Sequence, residues 1–396
     1  MFRKTIFWAH LVCGVLSGIV VFTMSFTGVA LTYKRQIELW VAEQRYVPEA
    51  EQGQALPLEQ LLLILQRKQP GVEAAALVIT NDAGAPVSVR AGRQGTLNLN
   101  PYTGDAMVLD APHLTAFFRW NTGFHRWFNI EGENRAIARQ ITGISNVVFF
   151  FLVASGMYLW LPSLWKWALV KVRLAFRSSY ADSKSRDFHW HHIFGIWAAL
   201  PLLAVVYTGG VISYPWVANL MYRAFGAEIP APQGPGGGPD GGQGQGQGGQ
   251  GQSGVGGGEQ IGSASTVAGN YLALNTLIDT AIAEADGEWN RLNVTLPRAT
   301  DATIQIEVDP GNGAQAHKRF TLSIDRTTGT VAGTRTFADQ PEATRLRSIA
   351  RFLHTGEVLG FWGQTIAGLA SFAALFGVWT GFALSYRRLI QPLLRG

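Results

Sequence analysis

The fold follows from an apolar run at residues 5–33, which reads TIFWAHLVCGVLSGIVVFTMSFTGVALTY and contains no Asp, Glu, Lys or Arg. A helix needs about 20 mainly apolar residues to cross a bilayer, so this run is long enough to span one. Three further runs share this property: Gln140–Trp165, Phe188–Tyr222 and Val358–Tyr386. Because the runs lack the two-residue alternation of a barrel strand, they predict an integral membrane α-helical protein with four transmembrane helices.

The composition agrees with a membrane protein. Hydrophobic residues make up 47% of the 396 residues and charged residues 15%, whereas soluble domains carry roughly 25% charged residues. The single cysteine, Cys13, excludes an internal disulfide, a Cys-ligated zinc site, an iron–sulfur cluster and c-type haem attachment. Because the composition is that of a membrane protein, membrane lipid is an expected partner. The net charge of +5 follows from topology and requires no nucleic acid.

Basic residues predict the orientation. The short loop at 163–187 carries six Lys and Arg residues against two Asp, which favours the cytoplasm. Arg3, Lys4 and the basic tail agree, so we expect both termini in the cytoplasm and the two long segments in the periplasm. The first run is about twice the length of a signal-peptide core, which indicates an uncleaved anchor in a bacterial inner membrane.

The predicted organisation alternates membrane and aqueous segments. Transmembrane helices occupy residues 1–34, 136–162, 188–217 and 357–386, with the cytoplasmic loop at 163–187 and the cytoplasmic tail at 387–396. The periplasmic segments are 35–135, which ends in an interfacial helix, and 218–356. Inside the second lies a linker at 231–258, about half glycine, for which we predict no fixed structure.

Each periplasmic segment shows a helical pattern followed by three strand patterns. In the first, a helix begins at Pro57 and stops at Gln69, and strands at 76–80, 85–90 and 96–100 end in a turn at 101–105. In the second, a helix at 274–286 precedes strands at 292–296, 303–308 and 319–324 and a turn at 325–329. These patterns predict two small α+β modules.

The chain also repeats itself at fixed offsets. Five residues of the first run recur 181 positions later as identical residues: His10, Gly14, Thr27, Gly28 and Tyr33 match His191, Gly195, Thr208, Gly209 and Tyr214. At an offset of 225, Gly143, Gly156, Thr103 and Gly104 match Gly368, Gly381, Thr328 and Gly329. The repeats predict a tandem duplication whose halves are related by an axis along the membrane normal.

Histidines supply the candidate ligands. His10 and His191 hold equivalent positions near the cytoplasmic ends of helices one and three, and His125 and His354 precede helices two and four on the periplasmic side. Two such pairs in a four-helix bundle suggest two bis-imidazole haem b groups, with the haem iron held by these four histidines.

Other interpretations of the histidines stay open at this stage. Copper or zinc is less favoured, because no carboxylate or thiolate accompanies the histidines in the apolar runs. Histidines with a purely structural role in a receptor-like scaffold are a second alternative. At the start of helix three the offset favours His191 as the ligand, with His192 second and His189 third.

Several motifs resemble the PepSY-associated transmembrane family over nearly the whole chain except the linker. They are Leu353-His354-Thr355-Gly356-Glu357 with Gly360 and Gly363-Gln364, Phe124-His125-Arg126, Ser155-Gly156-Met157-Tyr158-Leu159-Trp160, and the His-x-x-x-Gly starts of helices one and three. The resemblance implies that the modules are PepSY-like domains. It also implies an iron-regulated inner-membrane protein, of which FoxB-type siderophore reductases are examples.

The function that the resemblance implies is a haem-dependent ferric-siderophore oxidoreductase. Electrons would cross the membrane from the cytoplasmic to the periplasmic histidine pair, reduce a ferric siderophore and release Fe(II). Arg126, Arg139, Arg347 and Arg351 are candidates for pairing with haem propionates or attracting an anionic chelate.

The electron donor is expected to be external. No nucleotide-binding fingerprint follows a strand in this sequence, so we expect quinol or a cytoplasmic reductase as the donor. Two alternatives remain: a membrane cytochrome b subunit of another oxidoreductase, and a haem-free PepSY protein that binds or modulates a partner. The first would leave ferric siderophores unreduced, and the second would be colourless.

Overall fold

The computed structural model describes residues 1–45, 54–82, 84–92, 95–109, 111–162, 166–230 and 271–395. The predicted linker at 231–258 lies outside these residues. The chain divides into two units. The first comprises Met1–Ile37, Pro112–Ile229 and Leu346–Gly396, and the second comprises Glu38–Ala111 and Pro230–Arg345.

Helices make up most of the first unit and a smaller part of the second. In chain order the described helices are α1 Phe2–Leu31, α2 Lys34–Arg45, α3 Leu58–Lys68, α4 Pro112–Trp127, α5 Arg135–Trp160, α6 Trp167–Leu174, α7 Ser183–Ser213, α8 Pro215–Ala224, α9 Leu274–Glu284, α10 Glu342–His354, α11 Gly360–Leu389 and α12 Gln391–Arg395.

Four helical segments of the described chain are long and apolar enough to cross a membrane: Phe2–Arg45, Gly132–Trp160, Ser183–Ser213 and Glu357–Leu389. Their outer faces carry large apolar side chains, and Leu16, Ile19, Leu200 and Leu369 are 62 to 80% exposed. Apolar surfaces of this extent are rare on proteins that face only water. The chain is therefore a membrane protein with four candidate spanning helices.

These four helices pack as a closed bundle. Helix α1 contacts α5 and α11, and α7 contacts the same two helices. At mid-height Ala198, Ala370 and Ala374 pack around Leu202, and small side chains of this kind let helices approach closely within a membrane.

The third spanning helix begins at Ser183, ahead of the predicted start at 188. The Asp182 side chain accepts a hydrogen bond from the Ser185 amide, and the Asp182 amide donates to the Ser185 hydroxyl. These two reciprocal bonds form a capping box. The helix ends at Ser213, before the predicted end at 217, because Pro215 starts α8.

Unit 2 contains more strands than the sequence patterns indicate. Its strands are β1 Ala76–Thr80, β2 Val87–Arg90, β3 Thr96–Leu99, β4 Ala106–Met107, β5 Arg291–Thr295, β6 Thr303–Asp309, β7 Phe320–Asp325 and β8 Val331–Thr336. The prediction of three strands per module was wrong, because each predicted closing turn leads into a fourth strand. Gly104 and Gly329 make the reversals possible with φ angles of 72° and 73°.

A single sheet joins the two modules. Strands β1 and β5 pair antiparallel, with Val78 opposite Asn293, and the strand order is β4-β3-β2-β1-β5-β6-β7-β8. Helices α3 and α9 cover one face, where Leu61 and Leu277 pack with strand residues such as Val89 and Ile306 in a common core. The opposite face carries the polar residues of the alternating strands.

Candidate functional site

The first histidine pair lies at one end of the bundle. His10 of α1 and His191 of α7 have ring centroids 6.3 Å apart and ring planes at 88°. Two imidazoles that bind one metal atom from opposite sides, with nitrogen–metal bonds of about 2.0 to 2.1 Å, have centroids roughly 6.3 Å apart. The separation of these two rings matches that arrangement.

The second pair lies towards the other end of the bundle. His125 near the end of α4 and His354 at the end of α10 have ring centroids 6.4 Å apart and ring planes at 56°. Burial, followed by the nearby His354, lowers the pKa of His125 to about 4, and burial also lowers the pKa of His354. Both imidazoles are therefore neutral at pH 7, which is the form that binds a metal.

Hydroxyl groups favour one tautomer of two of these rings. His10 Nδ1 lies 2.8 Å from Ser155 Oγ, and His125 Nδ1 lies 2.8 Å from Thr27 Oγ1. Each hydroxyl already donates its proton to a carbonyl one turn earlier, at 2.6 Å to Phe151 and 2.7 Å to Thr23. This contact favours the hydroxyl as the acceptor and the imidazole Nδ1–H as the donor.

The other two rings donate to main-chain carbonyl oxygens. His191 Nδ1 lies 3.0 Å from the Gly377 carbonyl and 3.1 Å from Thr380 Oγ1, and His354 Nδ1 lies 2.8 Å from the Val205 carbonyl. In all four rings the contacts thus favour the tautomer with the proton on Nδ1, which leaves the Nε2 lone pair available. A hydrogen-bonded Nδ1–H is the usual second contact of a metal-bound histidine.

Each of the four rings also packs against a glycine of a neighbouring helix. A Cβ atom on that glycine would lie 3.1 to 3.7 Å from the ring's Cε1 atom; the pairs are Gly156 with His10, Gly28 with His125, Gly381 with His191 and Gly209 with His354. A Cβ at Gly209 would lie closer to the His354 ring than ordinary van der Waals contact allows, and at the other three glycines it would touch the ring. These glycines are the residues that match each other at the offsets of 181 and 225.

A family model for the PepSY-associated TM region matches residues 7–388. The chain belongs to this family. The match covers nearly the whole chain, including all four histidines, and it confirms the family that the sequence motifs indicated. A comparison with curated proteins found no match.

This PepSY-associated protein has two more histidines beside His191. His189 is buried, and both of its ring nitrogens have partners, Tyr180 Oη at 2.8 Å and the Val172 carbonyl at 2.9 Å. His192 Nδ1 bonds the Phe188 carbonyl at 2.8 Å within its own helix. Of the three candidates at the start of the third helix, the structure brings His191 to His10.

Two of the four arginines predicted as propionate partners lie against aromatic rings. The Arg126 guanidinium lies 5.0 Å from the centre of the Trp127 ring, and that of Arg351 lies 5.6 Å from the Phe352 ring. Arg139 is partly buried on α5, and Arg347 is exposed on α10. The described structure thus gives Arg126 and Arg351 cation–π contacts within their own helices.

Sequence reasoning missed the residues that hold the histidines in place. Ser155 and Thr380 occupy matching positions at the offset of 225, and both bond a histidine Nδ1, but they are not identical and an identity count overlooks them. A second missed group follows His354: the Glu357 carboxylate lies 3.7 Å from the Arg35 guanidinium, and both side chains are 11% exposed. A comparison that also counts chemically similar residues at the offset of 225 would have found Ser155 and Thr380.

Proposed function

We propose that this PepSY-associated protein is a di-haem b-type reductase of the bacterial inner membrane. It would pass electrons across the membrane to ferric siderophores in the periplasm and release Fe(II). One observation carries the proposal. The structure contains two pairs of imidazoles, with ring centroids 6.3 Å apart in one pair and 6.4 Å apart in the other, and all four Nδ1 atoms are hydrogen-bonded.

The donor set fits haem better than it fits a bare metal ion. Among the described residues, no three His, Cys, Asp or Glu side chains come together as a metal site. A zinc centre takes three or four protein ligands, whereas haem would need only a pair of histidines from the protein. The proposed ligands are His10 with His191 and His125 with His354.

Haem b, when bound, supplies reversible one-electron Fe(III)/Fe(II) chemistry. The chain's own residues orient the four imidazoles through the hydrogen bonds at Nδ1. Donation from Nδ1–H to Ser155, Thr27, Gly377 and Val205 raises the basicity of the opposite nitrogen. The glycines let the rings enter the bundle, and the apolar bundle interior around Leu202 excludes water between the two pairs.

The tandem duplication is part of the proposal. It is supported by glycines that match at the two offsets and make the same kind of contact. Gly28 and Gly209 lie against His125 and His354, and Gly156 and Gly381 lie against His10 and His191. In unit 2 the order of a helix and four strands occurs twice. The basic loop at 166–187 supports a cytoplasmic location for the His10 end, with the PepSY-like modules in the periplasm.

Reduction explains how iron would be released. Siderophore oxygen ligands are hard donors that suit Fe(III), and gain of one electron gives Fe(II), which these ligands hold much less well. The electron would come from quinol or a cytoplasmic reductase, so each Fe(III) reduced requires one electron from that donor.

The test is reoxidation of the purified, dithionite-reduced protein by a ferric siderophore under anaerobic conditions. Haem absorbance reports oxidation of the protein, and an Fe(II)-specific chelator reports the Fe(II) that forms. We expect haem oxidation and Fe(II) formation in equal amounts, and loss of both in His354→Ala. Haem that stays reduced would contradict the siderophore step and favour a cytochrome b subunit of another oxidoreductase.

A further inference from the structure

A cavity of about 280 Å³ opens on the outer surface of unit 1, between α5 and the start of α8. It is lined by residues of these two elements, namely Gln140, Ile144, Val147, Val148, Tyr214 and Trp216. Its α5 residues belong to the spanning segment Gly132–Trp160, and Ile144 and Val147 are exposed, so a ligand would enter from the lipid. The volume is near the lower end of the roughly 300 to 1,000 Å³ of small-molecule pockets, which suits a single ring.

The repeat in the sequence supplies a second copy of this place for comparison. Tyr214 matches Tyr33 at the offset of 181, and Gln140 matches Thr365 at the offset of 225. Tyr33 Oη lies 2.6 Å from Thr365 Oγ1. The Tyr33 ring also stacks on Phe361, with centroids 5.7 Å apart and planes at 28°. In that copy, side chains of the protein itself therefore engage both the hydroxyl and the ring of the tyrosine.

Tyr214 makes weaker contacts at the cavity. Its hydroxyl donates to the main-chain carbonyl of Gln140 across 3.4 Å, which is longer than the ~3.0 Å of a usual O–H···O bond. Its ring lies 6.1 Å from that of Trp216, with the planes tilted by 35°. The Tyr214 hydroxyl is therefore available to a closer acceptor, and a second ring can pack beside the two aromatic side chains.

The helix face that borders the cavity carries smaller side chains than its matching face. At the offset of 225, Phe361 and Phe372 of α11 correspond to Ala136 and Val147 of α5. Val147 lines the cavity, and Ala136 lies on the same face of α5, because the two are eleven positions apart, which is three turns of a helix. The α5 face thus lacks two aromatic rings that the α11 face has.

The cavity lies at the same end of the bundle as His354. The Tyr214 hydroxyl takes the space that a Cβ atom on Gly143 would need, so Gly143 lets this hydroxyl reach α5. Asn146, one turn further along α5, lies against Gly209 of α7, and the His354 ring packs on the same glycine. The tyrosine is therefore about one helical turn from the surroundings of His354.

We propose that this cavity binds the ring of an isoprenoid quinone, with the Tyr214 hydroxyl donating to a ring carbonyl oxygen. The Gln140 side chain is a second donor at the edge of the cavity, and Ile144 and Val147 contact the ring and the start of its apolar tail. A phospholipid acyl chain fits less well, because it offers neither a flat ring nor an acceptor for the hydroxyl. Binding of the ring requires no haem, so the site stands apart from the proposed function.

The test labels the purified full chain, in phosphatidylcholine nanodiscs, with a photoreactive azido analogue of decylubiquinone. Mass spectrometry locates the label, and the dependence of labelling on analogue concentration gives an apparent Kd. We expect label within residues 140–148 and 214–216 that excess decylubiquinone removes. Because nanodisc lipid is present in large excess, the absence of such label would show that acyl chains fill the cavity and would overturn the site.

Two variants test the residues of the cavity. Val147→Phe installs the residue of the matching position and fills the space, so it should raise the apparent Kd by at least ~5-fold. Tyr214→Phe removes one hydrogen bond and should raise it by roughly 2- to 10-fold. Val15→Phe is the matched control, because Val15 on α1 is 38% exposed and Val147 is 40% exposed, and it should leave labelling unchanged. An unchanged Kd in both test variants would overturn the site.

A competitor without oxygen atoms tests the chemistry of the ligand. Decylbenzene has a ring and a tail but no acceptor for the Tyr214 hydroxyl, so it should compete at least ~2-fold more weakly than decylubiquinone. Equal competition by the two compounds would overturn the assignment to a quinone.

Failure of the quinone site and failure of the proposed function give different results. A colourless protein that is labelled at the cavity would contradict the reductase and support the site. A haem-containing protein that ferric siderophores reoxidise, but that carries no competed label at the cavity, would support the reductase and overturn the site.

Discussion

Single hydroxyl groups favour one tautomer of the candidate ligands in this molecule. Thr27 and Ser155 each lie within donating distance of a carbonyl of their own helix, and each also contacts a histidine Nδ1, of His125 and His10. A hydroxyl that donates to its own helix favours the tautomer in which the imidazole Nδ1 carries the proton. The arrangement at His191 adds Thr380 in the same role.

The substitution Thr27→Val tests this role at nearly constant side-chain volume. We expect the His125 centre to bind haem roughly 10- to 100-fold more weakly, which is the usual effect of removing a histidine's second contact. The measurement is haem content and a redox titration of the purified variant. Thr23→Val is the matched control, because within the described residues the Thr23 hydroxyl bonds only the Ile19 carbonyl one turn earlier in its helix. Equal losses in both variants would contradict the role of Thr27.

At the scale of elements, β1 and β5 join two modules that the sequence presents as separate. The pattern of alternating residues identifies each strand. It does not show which strand pairs with it when the two lie more than 200 residues apart in the chain. The fourth strands were missed because β4 has two residues and β8 is almost entirely exposed, so neither has an apolar alternation.

A cross-strand disulfide tests the junction. In a Cys13→Ala background, Val78→Cys with Asn293→Cys should form a disulfide on oxidation, because these residues are directly opposite in the ladder. Val78→Cys with Gln305→Cys should not, since β6 is two strands away at about 9.6 Å. Mass spectrometry of cleaved, unreduced protein reports both results, and a disulfide in the second pair alone would contradict the strand order.

Neighbouring residues of β6 test which face is covered. Ile306 is fully buried and Gln305 faces the other way. Ile306→Ala should destabilise the sheet by roughly 3 kcal/mol through the lost apolar contacts and the cavity left behind. Hydrogen exchange of the β5–β7 amides should then be roughly 100-fold faster. Gln305→Ala should leave exchange nearly unchanged, and similar effects of the two variants would refute the assignment of faces.

At the scale of the whole molecule, the sequence predicted much of the architecture because membrane helices depend on local composition. The apolar runs indicated the four spanning helices, and the offset of 181 pointed to His10 and His191, whose centroids are 6.3 Å apart. His125 and His354 were paired only by their place ahead of a helix. The hydrogen bonds that orient all four rings come from other helices, and such contacts have no signal in a local pattern.

Cysteine labelling tests the proposed topology of the whole chain. Lys184 and Thr327 are both exposed and lie in the segments expected on opposite sides of the membrane. In a Cys13→Ala background, Thr327→Cys should react with a membrane-impermeant maleimide in intact spheroplasts. Lys184→Cys should react only after permeabilisation, and the reverse pattern would invert the proposed orientation.

The most direct test of the central claim is the haem content of the detergent-purified protein, measured as pyridine haemochrome per chain. The account predicts two haems b in the wild type, one in His10→Ala, one in His354→Ala and two in the control His192→Ala. A colourless wild-type protein from haem-replete cells would contradict it, as would variants at His10 and His354 that keep both haems.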